Sequence, residues 1–158
     1  MNVPVSIKIK RSLSGKGLFA KKIIKKGSVL FHFDGKMNDS THADHVMSLQ
    51  IDEDKFLEST EKFDDFLNHS CNPNCCIDWN TLSLISLKDI QKDEELSFNY
   101  NISEYNLLCG GNFSFKCKCG SKNCIREIKG FKYLSLEQKN KIQKFISPFL
   151  KNKFEQES

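Results

Sequence analysis

The chain has 158 residues, of which 39% are hydrophobic and 28% charged, and its net charge is +4. That suits one compact domain able to bury a core, and no apolar run reaches the roughly eighteen residues that a membrane-spanning helix needs. The start lacks an apolar stretch followed by small residues, so no secretory signal and an intracellular, reducing compartment are expected.

Residues 3–10 (VPVSIKIK) alternate apolar and polar side chains, as a half-buried strand does. SGKG breaks the alternation, and residues 17–35 carry short strand-like runs between Lys-Lys-Gly and Asp-Gly turns. Residues 36–48 are polar and irregular, with a helical possibility at HADHVM (42–47), and SLQI (48–51) reads as a strand. TEKFDDFL (60–67) predicts one helical turn, and TLSLISL (81–87) and EELSFNY (94–100) predict two further strands. Between Asn106 and Gly130, glycine, cysteine and lysine dominate and little regular structure is expected. Ser135 and Gln138 have the spacing of a capping box. Leu136, Ile142, Phe145, Ile146 and Phe149 then mark one helical face before and just past Pro148. The sum is a mainly β, α+β chain with a C-terminal helix.

The net charge hides a segregation. Residues 1–33 carry eight basic and no acidic side chains, and residues 34–65 carry three basic and ten acidic. Residues 116–158 return to eleven basic against four acidic. An acidic middle of this kind attracts a basic peptide, and basic ends suit contact with nucleic acid.

Residues 66–75 (FLNHSCNPNC) concentrate the reactive side chains. Asn68 opens an N-x-S sequon, but a chain that is not secreted never meets the glycosylation machinery. His69 and Cys71 do not make a thiol nucleophile, because nothing identifies the group that would orient the base. In a reducing compartment the seven cysteines point to metal or chemistry rather than disulfides. Cys117, Cys119 and Cys124 supply three thiols within eight residues, and a tetrahedral Zn2+ site needs a fourth. Cys71 is the candidate, with Cys75, Cys76 and Cys109 competing. His42 and His45 have the spacing of a ligand pair, but a polar surface loop accounts for them, and His32 carries no comparable signal.

Four segments in order, SGKGLFA (14–20), FLNHSCNPN (66–74), EELSFNY (94–100) and FKCKCGSKNC (115–124), resemble the SET-domain family of protein lysine methyltransferases. The chain departs from the family pattern in four places. No cysteine-rich segment precedes residue 14, and the insert between Gly35 and Asp64 is short. Asp65 stands where arginine is common, and Asn99 replaces the usual aspartate. The resemblance implies several small β-sheets with a knot-like C-terminal threading that brings NHSC beside EELSFNY. It implies a SET domain over residues 1–105, a zinc-binding post-SET segment over 106–130 and a helical extension over 131–158.

The same resemblance implies S-adenosylmethionine as methyl donor. Lys16, Gly17 and Leu18 would meet its amino-acid end through the backbone, Asn68 and His69 would hold it, and Pro73 and Asn74 would fix the turn. Tyr100 matches the catalytic tyrosine. Phe98 matches the position where phenylalanine, unlike tyrosine, leaves room for more than one methyl group, which implies di- or trimethylation. Tyr105 and Phe115 are candidates for a wall of the adenine site or the lysine channel. The Zn2+ segment, held by Cys71, Cys117, Cys119 and Cys124, would cover the cofactor and finish the lysine channel. The expected partner is a protein with a target lysine, best a basic histone tail, which implies action on chromatin in the nucleus. The alternatives are a catalytically weak SET-like module that binds lysine-rich peptides, and a zinc-stapled binder of nucleic acid.

Overall fold

A computed structural model describes residues 4–41, 43, 47–59, 62–108 and 114–157. The helical possibility at 42–47 falls largely outside that set, as does Cys109. In chain order the first strands are β1 (Ile7–Ser12), β2 (Gly15–Ala20), β3 (Val29–His32), β4 (Met37–Asn38), β5 (Leu49–Asp52) and β6 (Lys55–Leu57). Then come β7 (Asn68–His69), β8 (Cys75–Asp78), β9 (Ser83–Ser86), β10 (Ser97–Phe98), β11 (Phe115–Lys116) and β12 (Glu127–Ile128). Two helices close the chain, α1 (Leu136–Ile142) and α2 (Pro148–Glu157).

The chain divides into two compact units. The first comprises Met1–Phe33, Thr60–Asn99 and Cys117–Ile125, and the second Asp34–Ser59, Tyr100–Lys116 and Arg126–Ser158.

In the first unit, β1 and β2 form an antiparallel hairpin in register from Ile7↔Ala20 to Ser12↔Gly15. Gly15 enters β2 at φ 111°, a left-handed conformation that glycine adopts without a Cβ clash. The strand begins at Ile7 rather than at residue 3. Pro4 instead accepts a turn bond from the Ile7 N–H at 2.9 Å, and Val5 stays 85% exposed. A second, antiparallel sheet runs in the order β3-β9-β8, and β7 pairs in parallel with β10. Ile7, Leu18, Ala20, Leu84, Ile90 and Leu96 are fully buried and form the core of this unit. Each such leucine or isoleucine contributes roughly 1.5–3 kcal/mol by leaving water. TEKFDDFL gives a single 3-10 turn at Phe63–Phe66. EELSFNY holds only the two strand residues of β10. Glu95 bridges to Phe19 ahead of them, and Tyr100 already opens a 3-10 turn, Tyr100–Ile102.

In the second unit, β4, β6 and β5 form a sheet in that order, and β11 pairs with β12. The capping box is formed: Gln138 N–H donates to Ser135 Oγ at 3.2 Å and Ser135 N–H to Gln138 Oε1 at 2.8 Å. The expected single helix past Pro148 is two helices. Proline cannot donate to an ongoing helix but fits the first helical position. Ser147 therefore restarts the chain, its Oγ accepting from Leu150 N–H at 3.2 Å. Ile146 and Phe149 are buried as the apolar pattern requires, and Leu150 is buried beside them, whereas Leu136 is 65% exposed and belongs to no buried face. Among the described residues no helix is long and apolar enough to cross a membrane.

Candidate active site

The polar motif at 68–74 is anchored by Leu67, which is 5% exposed and closes the preceding 3-10 turn by donating from its N–H to Asp64 O at 3.0 Å. Asn68 and His69 then form β7 and lie opposite Ser97 and Phe98 in β10. Ser70 N–H extends the pairing to Phe98 O at 2.9 Å. The NHSC segment and the EELSFNY segment are therefore adjacent strands.

Asn68 ties this pair to the β1–β2 hairpin. Its Nδ2 donates to Lys16 O at 2.9 Å and to Glu95 Oε1 at 2.8 Å, and it reaches Ser12 Oγ at 3.4 Å. Ser12 Oγ donates to the other oxygen, Glu95 Oε2, at 3.0 Å. Both principal partners of Nδ2 are acceptors, which fixes the amide orientation. Its Oδ1 has no partner among the described residues and remains an acceptor for an external donor. Gly17 is buried where a Cβ would strike Glu95 Oε1 and stand 3.0 Å from Asn68 Nδ2. Only glycine fits there without displacing the carboxylate.

Asn74 does more than hold a turn. It is 3% exposed, and its Nδ2 donates to Glu95 O at 2.8 Å and Glu94 Oε1 at 3.1 Å, while its Oδ1 accepts from Ser97 N–H at 2.9 Å. It staples the motif to the strand that carries Phe98. Ser12, Glu95 and this role of Asn74 escape sequence reading, because each acts through a partner more than twenty residues away. The available signal for Glu95 is an acid set directly before the buried Leu96.

Four thiols lie together in the first unit. The ligand atoms of Cys71, Cys117, Cys119 and Cys124 are all within 4.8 Å of one another, and Cys71 Sγ is 3.7 Å from Cys117 Sγ. Tetrahedral zinc with sulfur at about 2.3 Å requires sulfurs about 3.8 Å apart, so the donor set and spacing fit. Burial pushes the Cys117 thiol up to about 11 and raises Cys71 further. Burial also opposes ionisation of Cys119, but backbone N–H groups and the neighbouring thiols outweigh it and bring Cys119 down to about 6. A bound cation would be needed to hold all four sulfurs ionised so close together. Cys75 and Cys76 are buried in β8 and stand outside the cluster. Burial pushes His69 down to about 4, so it is neutral near pH 7, with Nε2 3.3 Å from Cys71 Sγ.

Phe98 is 7% exposed in β10. Two residues on, in the second unit, Tyr100 meets Phe115 edge to face, with ring centroids 6.1 Å apart at 83°. Its carbonyl accepts from the N–H groups of Ser103 and Glu104 at 3.2 and 3.0 Å, which fixes the turn. Phe115, the lesser aromatic candidate, is thus the ring at Tyr100. Tyr105 stands against Phe149, with centroids 6.0 Å apart.

Residues 15–101 match the SET domain family. The H3 lysine-36-specific histone-lysine N-methyltransferase of Candida albicans is 30% identical over 142 residues, covering 77% of this chain and 16% of that protein. Histone-lysine N-methyltransferase NSD3 of Mus musculus is 33% identical over 136 residues, covering 73% of this chain and 9% of that protein. The chain thus spans less than a fifth of the length of these relatives. Among solved structures, KRYPTONITE in complex with mCHH DNA, an H3(1-15) peptide and SAH is similar in fold. Its TM-score is 0.61 and its identity 23%, covering 77% of this chain and 29% of that one. With the family match spanning more than half of its length, the chain belongs to the SET-domain family.

Proposed function

We propose that the protein is an S-adenosylmethionine-dependent protein lysine N-methyltransferase that acts on a basic, histone-like tail and can add two or three methyl groups. The observation that carries this reading is the parallel pairing of Asn68–His69 with Ser97–Phe98, two residues ahead of Tyr100. The relatives named as histone-lysine N-methyltransferases, and the SAH and H3 peptide of the KRYPTONITE complex, support the cofactor and substrate class. A histone substrate places the protein at chromatin.

Asn68 Oδ1 is a free acceptor suited to the α-ammonium of an amino-acid-bearing donor, beside the bare backbone at Gly17 and flanked in sequence by Lys16 and Leu18. When bound, S-adenosylmethionine would supply an electrophilic methyl to the lysine amine, whose proton must first go to solvent. The lysine must be neutral to attack, and with a pKa of about 10.4 only about a thousandth of it is neutral near pH 7.4. Tyr100 would orient that amine through its hydroxyl, and the ring of Phe115, edge to face with it, would give an aromatic face that stabilises a methylated ammonium. Phe98, with no hydroxyl, leaves space for methyl groups already added. Zn2+ at Cys71, Cys117, Cys119 and Cys124 would order the segment that contains three of them.

The test uses labelled S-adenosylmethionine with core histones and with a whole-cell extract, beside Tyr100→Phe and a chelated sample. Label on histones that both controls abolish is the expected result. Label in the extract alone discards the histone and keeps the enzyme. Cofactor binding without label, or a salt-steep affinity for DNA without methyl transfer, overturns the reading in favour of a binding module.

A further inference from the structure

The second unit contains a cleft of about 180 Å³. That is below the roughly 300–1,000 Å³ of a cofactor pocket and suits one side chain. Glu104 lines it and is 8% exposed. Its Oε1 accepts both available hydrogen bonds, from Gln50 N–H at 3.0 Å and Ser103 Oγ at 3.0 Å. The other oxygen, Oε2, has no partner among the described residues. A carboxylate buried this far is costly unless a cation or further donors meet it.

The rest of the lining is built for a cation on an aliphatic stem. Tyr105 and Phe149 meet edge to face, and Phe56 is 4% exposed. At their edge the chain's own Lys153 places its ammonium 5.6 Å from the Tyr105 centroid and 5.7 Å from that of Phe149, and pairs with Glu53. Lys153 therefore demonstrates the mode of binding and at the same time neutralises Glu53. Glu104 is left as the one uncompensated carboxyl among the described lining residues. The cleft also has a fixed relation to Tyr100, because Glu104 N–H donates to Tyr100 O at 3.0 Å, one turn away.

We propose that this cleft is a specificity subsite that takes one arginine or lysine side chain of a basic peptide, close in sequence to the lysine to be methylated. The cation pairs with Glu104 Oε2, and the stem lies against Tyr105 and Phe149. Nearness to the target lysine rests on the methyltransferase reading; the binding itself does not. Burial pushes the Glu104 carboxyl up to about 7, as it must where the charge lacks a counter-ion, and a bound cation would pull it back down.

Fluorescence anisotropy with the intact protein tests the subsite without any turnover. The probes are a basic peptide containing the target lysine and a series in which each flanking Arg or Lys is replaced in turn by Ala. One replacement should weaken binding about tenfold in the wild type, the scale of a charge-assisted hydrogen bond, and have no further effect in Glu104→Gln. Glutamine keeps the Oε1 acceptor for Gln50 and Ser103. Lys153→Met, a change at the rim, should act in the opposite direction, freeing Glu53 and tightening the same peptide severalfold at low salt. Flank replacements that weaken binding equally in the wild type and in Glu104→Gln, with Lys153→Met neutral, overturn the subsite. Coupled binding without methyl transfer keeps the subsite and removes the enzyme, whereas methyl transfer without coupling removes the subsite alone.

Discussion

Glu95 and Asn68 lie 27 residues apart in sequence and share a 2.8 Å hydrogen bond beneath Gly17. The carboxylate holds Nδ2 on one side and the hydroxyl of Ser12 on the other, so it sets which atom of Asn68 faces outward. Gly17→Ala would put a methyl where the carboxylate sits. The expected cost is about 1–3 kcal/mol of stability, as for other overpacked sites. Affinity for S-adenosylmethionine should fall with it, because the amide turns. Glu95→Gln should separate the two effects. It keeps the volume but presents an NH2 group that either faces Asn68 Nδ2 or displaces the Ser12 bond. Calorimetric titration of S-adenosylmethionine should then show weakened binding with a smaller loss of melting temperature than in Gly17→Ala. Unchanged affinity in both variants would remove Asn68 from the donor site.

The thiol cluster predicts one zinc per chain by elemental analysis. Cys71→Ser and Cys119→Ser should each reduce it strongly, whereas Cys75→Ala and Cys76→Ala, in β8, should retain it. Because metal binding is coupled to folding, a chelator should expose the amides of residues 117–125 to hydrogen exchange. The β1–β2 hairpin and the β3-β9-β8 sheet have their own ladders and cores, so their protection should persist. Uniform loss of protection would mean that the metal holds the whole unit together.

Phe98→Tyr tests the methylation state. Phe98 is 7% exposed in a two-residue strand, and under the proposed function a hydroxyl added there would stand beside the reacting amine. A change of this size in a pocket is worth ~1–3 kcal/mol, about ten- to two-hundredfold in rate. The second and third transfers should slow by that factor while the first persists. Mass spectrometry of a peptide product should shift from di- and trimethyl-lysine to monomethyl-lysine. A wild-type enzyme that stops at monomethyl-lysine would refute the assignment.

The parts legible in the sequence are those whose causes are local. The β1–β2 alternation, the capping box at Ser135 and the turn at Phe63–Phe66 follow from neighbouring residues alone. That the later thiols need a fourth ligand was legible from zinc chemistry, but spacing left Cys71, Cys75, Cys76 and Cys109 open, and the folded chain is what brings Cys71 to the other three. Strands such as β4, β6 and β7 were not legible. Two or three residues carry no periodicity, and they are strands only because a distant partner pairs with them. For the same reason the sequence assigned no role to Glu95. Only the folded chain shows the bond between Asn68 and Glu95.

Glu104 gives the protein a stability profile with a definite sign. Burial pushes its carboxyl from 4.5 up to about 7, with the Gln50 N–H and Ser103 hydroxyl pulling the other way. Between those values the folded chain holds a proton that the unfolded chain has released. Its contribution is therefore complete below 4.5, falls as pH rises to about 7, and is lost above it. The loss amounts to about 3 kcal/mol. Glu53, which also lines the cleft, is paired with Lys153. His69 acts in the opposite sense: burial lowers it to about 4, so its contribution grows as pH rises towards 6.5. The wild-type curve should consequently be shallow at mildly acid pH and decline above it. Glu104→Gln lacks the falling component, so denaturant unfolding should show the variant gaining on the wild type by about 3 kcal/mol between pH 4.5 and 7.5. A pH-independent difference would mean that the cleft admits enough water to keep Glu104 ionised, and a saturating basic peptide should produce the same flattening in the wild type.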